Sequence, residues 1–107
     1  MTAEVTEPAI RALIDAINAG DRDRFFAGLT PDATMADDGR ERDLHQWADR
    51  ELFASQGRMS VESATDGGRS LLAENTNATY GTMHTFWRFT VHDGRISCFE
   101  TGQASSQ

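Results

Sequence analysis

The apolar residues change period once along this chain, near Gly57, and that change constrains the fold more than any other feature. Before it, hydrophobic side chains recur at helical spacing. From Arg58 to Thr101 they sit in alternating runs separated by turn residues. Helices first and strands after define an α+β domain, with helices laid on one face of a curved antiparallel sheet. A curved sheet closed by helices encloses a pocket, which suggests small-molecule business. With 107 residues there is room for one core, so positions 1–107 form one domain that buries roughly two-thirds of the unfolded chain's surface.

Ile10, Leu13, Ile14 and Ile17 fall at i, i+3, i+4 and i+7, one helix face wide. The pattern predicts a helix over 7–19, with Pro8 tolerated in its first turn and Gly20 ending it in a left-handed conformation. Asp21 caps a second helix over 22–29 that carries Phe25, Phe26 and Leu29, and Thr30-Pro31-Asp32 stops it. A short strand over 33–37 follows, after which Asp38-Gly39 turns the chain out. Asp43 with Gln46 resembles a capping box opening a third helix over 44–56, with Leu44, Trp47, Ala48 and Leu52 on one face.

Strands follow over 58–65, 69–76, 82–91 and 95–102, with turns at Asp66-Gly67-Gly68 and between Asn77 and Gly81. In the last hairpin a three-residue loop, His92-Asp93-Gly94, sets Phe89 opposite Ser97, Trp87 opposite Phe99 and Thr85 opposite Thr101. Met83, Thr85, Trp87, Phe89 and Val91 then share the concave face. His84, Phe86, Arg88, Cys98 and Glu100 take the outer one.

The formal charge of −7 argues against nucleic-acid and anionic-membrane partners, which need clustered positive charge. All ten basic residues are arginine. Without lysine, Schiff-base chemistry is closed. Cys98 is the single cysteine and forms no internal disulfide. No 18-residue apolar stretch exists to span a bilayer, and the acidic start, Met1 to Pro8, is unlike a signal peptide, so a cytoplasmic protein is expected. The three histidines lack ligand-like spacing, so no metal is expected, and no nucleotide or phosphate loop implies a cofactor. His45 and Asp49 stand one helical turn apart, as a surface pair would.

One carboxylate stands out. Ala33, Met35 and Asp37 alternate onto one face of the first strand, so if Met35 faces the core, Asp37 does too. A carboxylate among apolar neighbours can act as a general base or acid. The plainer reading makes Asp37 a strand-end turn residue beside Asp38-Gly39. Both stay open on pattern alone.

The run Ile17-Asn18-Ala19-Gly20-Asp21, then Phe25-Phe26, then Pro31 to Asp37, resembles the nuclear transport factor 2-like superfamily. That group includes SnoaL-like polyketide cyclases and ketosteroid isomerases. Trp87-Arg88-Phe89 through Asp93-Gly94-Arg95-Ile96 resembles its penultimate hairpin. The resemblance implies a cone of sheet and three helices, often a homodimer, with a pocket at the open end. Leu13, Met35, Trp47, Met83, Thr85, Trp87 and Phe99 would line it around Asp37, the position of the isomerase base. Leu13 stands where the isomerase has its oxyanion-binding tyrosine, and Thr85 where it has a protonated aspartate. The implied function is a small-ligand domain that moves a proton on a small apolar carbonyl compound. The alternative is a non-catalytic binding or dimerisation domain, paired through an outer sheet face with Phe86 near its centre.

Overall fold

The computed structural model describes residues 5–78 and 81–104. Helix α1 (Pro8–Ala19) starts with Pro8 in its first turn and ends at Gly20, whose φ of 67° places it in the left-handed region. Its buried face carries Ile10, Leu13, Ile14 and Ile17. Burying each such side chain contributes about 1.5–3 kcal/mol over leaving it exposed. Helix α2 (Arg22–Ala27) is capped by Asp21, whose carboxylate accepts a hydrogen bond from the Arg24 amide at 3.1 Å. Helix α3 (Leu44–Ala48) is capped the same way by Asp43, which accepts from the Gln46 amide at 3.0 Å. It does not run on as a regular α-helix to residue 56. From Asp49 to Ala54 it widens into a π-helical segment.

Six strands form one sheet in the order β2-β1-β6-β5-β4-β3. They are β1 (Leu29–Asp37), β2 (Arg40–Arg42), β3 (Arg58–Thr65), β4 (Ser70–Asn77), β5 (Gly81–His92) and β6 (Arg95–Gln103). The α+β class holds, but the sheet is mixed. β1 lies parallel to β6, and all the other pairs are antiparallel. No hairpin joins β1 to β6, so nothing local dictates an antiparallel pairing between them.

β1 begins four residues earlier than its pattern indicates, and α2 stops correspondingly sooner. Leu29 already pairs with Ile96, and the ladder then breaks until Thr34. Pro31 sits inside that break, where its missing N–H removes no ladder bond. Asp38-Gly39 does not send the chain outward. Both residues have positive φ, 52° and 82°, the geometry of a tight hairpin turn, and the chain doubles back as β2.

The β5–β6 hairpin differs in register from the sequence reading. Its loop is two residues, Asp93-Gly94, both at positive φ (51° and 77°), and Phe89 faces Phe99 rather than Ser97. Trp87 accordingly faces Thr101, and Thr85 faces Gln103. A bulge between Thr90 and Val91 restores the alternation. Because the net slip is even, every side chain keeps its assigned face. The expected reversal between Asn77 and Gly81 includes Thr79 and Tyr80, which lie outside the described residues, but Asn77 and Gly81 do pair.

Asn18 joins the end of α1 to the sheet. Its side-chain amide donates to the Met59 carbonyl at 3.0 Å and accepts from the Met59 amide at 2.8 Å, tying the end of α1 to β3 as a strand neighbour would.

Candidate functional site

The concave face is built from rings. Trp87, Phe89 and Phe99 project from β5 and β6, Trp47 from α3 and Phe25 from α2, and all five are buried. Ring centroids lie 5.7 Å apart for Trp87–Phe99, 5.8 Å for Trp47–Phe99 and 6.3 Å for Trp47–Trp87. Leu13 and Met35 are each about 1% exposed within the same cluster. Of the seven side chains expected to line a pocket, five, Leu13, Met35, Trp47, Trp87 and Phe99, are packed into the core.

The remaining two, Met83 and Thr85, stand further along β5. Both border a depression of about 420 Å³, together with Glu62, Leu72, Thr82, His84, Gln103 and Ala104. Thr85 is itself buried, and its hydroxyl is fully engaged. It donates a short bond to Asn75 Oδ1 and accepts from Trp87 Nε1 at 2.9 Å. Sequence reasoning missed Asn75. The signal lay in the alternation Leu71, Ala73, Asn75, which puts a polar residue on the apolar face and requires a buried partner.

Asp37 ends β1 at the edge of this interior, between Thr101 of β6 and the turn into β2. It is half-buried rather than enclosed. Trp47 Nε1 donates to its Oδ2 at 2.9 Å, and no bond to Oδ1 occurs among the described residues. The strand alternation sets Asp37 on the face of Met35, and the face of α3 carrying Leu44 and Trp47 brings the indole over it. A single donor fixed by a buried ring orients the carboxylate, and its other oxygen can meet a ligand.

The expected oxyanion donors are not assembled near it. Leu13 offers only an aliphatic side chain, and the Thr85 hydroxyl is committed to Asn75. The expected His45–Asp49 pair is replaced too. Asp49 instead takes both Nε and Nη2 of Arg22, at 2.5 and 3.2 Å, while His45 stacks on Phe26 at 4.5 Å. The hydrogen bond from Arg22 holds the Asp49 carboxyl below its usual range.

On the outer face, His84 Nδ1 lies 3.0 Å from Glu62 Oε1, and this hydrogen bond, with the Glu62 charge, raises the imidazole above its usual value. Leu72 is 44% exposed beside them. Phe86 is only half-buried and lies over Gly102, where a Cβ would meet its ring at 2.8 Å, and Arg88 stacks on it at 5.0 Å. Cys98 is a free, half-buried thiol.

Solved structures share this arrangement. A candidate polyketide cyclase from Sinorhizobium meliloti superposes with a TM-score of 0.74 at 22% identity, covering 87% of this chain and 92% of that one. A nuclear transport factor 2-like protein of unknown function from Cytophaga hutchinsonii gives 0.76 at 13%, covering 96% and 93%. The fold is nuclear transport factor 2-like. A candidate ketosteroid isomerase from Kribbella flavida, at 14% identity, reaches a TM-score of 0.77 over 95% of this chain and 79% of that one. No protein-family model matches the chain, and neither does any curated protein sequence. No helix among the described residues is long and apolar enough to cross a membrane.

Proposed function

We propose that this nuclear transport factor 2-like domain binds a small apolar carbonyl compound at the Asp37 end of its cone, and that Asp37 takes up a proton from it. The observation that carries this reading is the 2.9 Å bond from Trp47 Nε1 to Asp37 Oδ2 at the edge of an aromatic interior. An oriented carboxylate beside apolar rings matches what a general base requires: a fixed acceptor, and an apolar surface to hold the substrate against it. Trp47, Phe99 and Met35 lie buried behind the carboxylate, so a substrate would meet the rim at Asp37 rather than a preformed pocket.

Chemical scope follows from what surrounds Asp37. A proton removed next to a carbonyl leaves charge on oxygen, and losing one preorganised donor costs about 10²–10³ in rate. With Leu13 aliphatic and Thr85 engaged, only substrates with an intrinsically acidic C–H are within reach. The probe chosen is 2-tetralone, an apolar ketone of that kind. In deuterated buffer, wild type should accelerate exchange of its α-protons above the buffer rate, and Asp37→Asn should return it to the buffer rate. Equal rates for the two proteins would overturn Asp37 as the base and leave a non-catalytic binding domain.

A second reading concerns assembly. The exposed Leu72, directly across from half-buried Phe86, supports a homodimer through the outer sheet face. Light scattering should then give twice the 11.8 kDa chain mass at micromolar concentration, and Leu72→Asp should halve it.

A further inference from the structure

We propose that Glu62, Glu74 and His84 form a binding site for a divalent metal ion of the zinc class on the outer face of the sheet. One carboxylate oxygen from each glutamate and one imidazole nitrogen lie within 4.8 Å of one another. Ligand bonds of about 2.1 Å in a tetrahedral shell put donor atoms about 3.4 Å apart. Rotation of these exposed side chains would have to close that difference.

Three adjacent strands supply the donors. His84 on β5 pairs directly across from Glu74 on β4. Glu62 is the extra residue of a bulge in β3, between Val61 and Ser63. A bulge re-aims the side chain it carries, and here it points Glu62 towards His84. Strand-borne ligands are held more firmly than loop-borne ones. Histidine spacing along the chain hides such a site because each ligand comes from a different strand.

Chemistry selects the ion. Two carboxylates and a neutral imidazole balance a double positive charge. The imidazole favours zinc, nickel or copper over magnesium and calcium, which take all-oxygen shells. The depression of about 420 Å³ lined by Glu62 and His84 leaves a fourth position open to water. Three protein ligands with one open position is the arrangement found at catalytic rather than closed structural zinc sites.

The test is isothermal titration of the chelator-treated full chain with zinc chloride in a non-coordinating buffer at neutral pH. One zinc per chain is expected, with magnesium chloride binding at least 100-fold more weakly. His84→Ala and Glu74→Gln should each weaken zinc at least 10-fold, while His45→Ala and His92→Ala, on surface histidines elsewhere, should not. Cobalt substitution should give visible d–d bands that His84→Ala removes. Circular dichroism confirms that each variant is folded, which exposed positions favour. Light scattering in the same buffer reads the assembly. Half a zinc per chain would place the ion between two copies and overturn a site complete in one chain. Millimolar zinc affinity, or unchanged affinity in His84→Ala, would overturn it outright.

Discussion

The two faces of strands β3 to β5 are made from alternate residues of the same segments, yet they treat polar groups in opposite ways. On the inner face, Asn75, Thr85 and the Trp87 indole satisfy one another among buried rings. On the outer face, Glu62, Glu74 and His84 stand exposed, with two carboxylates around one imidazole. A closed network contributes to packing and has little left to offer a ligand. Binding capacity is left where polar groups are not fully used. The outer cluster and Asp37 at the edge of the interior both keep polar groups of that kind.

The largest expected effect comes from breaking the inner face. Trp87→Ala removes a fully buried ring and both its hydrogen bonds, and should cost about 3–5 kcal/mol in chemical denaturation. Thr85→Val keeps the shape but leaves the Trp87 N–H only its longer 3.4 Å bond to Asn75 Oδ1, and should cost about 1–3 kcal/mol. A loss for Thr85→Val near zero would mean that the network is not closed, and would blur the contrast. Gly102→Ala probes the join between faces, since its Cβ would meet Asp38 Oδ1 at 2.5 Å. That crowding should cost about 1–3 kcal/mol.

Function should follow the same division. Because Leu13 and Thr85 supply no free donor, conversion of a β,γ-unsaturated ketosteroid to its conjugated isomer, followed by ultraviolet absorbance, should stay far below that of a dedicated isomerase. Asp37→Asn should fold at least as well as wild type, since the Trp47 N–H keeps an oxygen acceptor.

The smallest effect lies at the surface. Asp49 is held below its usual value by Arg22, so its contribution to stability is complete above the unfolded carboxyl value of 3.8 and fades as pH falls through the lower folded value. Arg22→Ala should flatten only that acid limb of the pH–stability curve.

Much of the architecture was legible because periodicity reports burial. The α1 stripe, the Asp21 and Asp43 caps and the inner set of β5 follow directly from spacing. Positions set by distant partners were not legible. The entry of β1 beside β6 depends on a parallel pairing that no local turn encodes. A left-handed Gly94 suits a three-residue loop as well as the two-residue turn at Asp93-Gly94, and the bulge at Thr90/Val91 keeps the faces the same in both. Sequence marked Asp37 as a candidate, but the donor that orients it comes from α3. The outer cluster was invisible because its ligands are gathered by strand pairing.

A ligand at the proposed site would meet the protein at the Asp37–Trp47 pair and not in the inner network. The two tryptophans report on the two places, each through an indole N–H with a different acceptor. Titration of ¹⁵N-labelled protein with 2-tetralone should shift the Trp47 indole resonance more than that of Trp87. Movement of the Trp87 resonance alone, or of neither, would contradict the account.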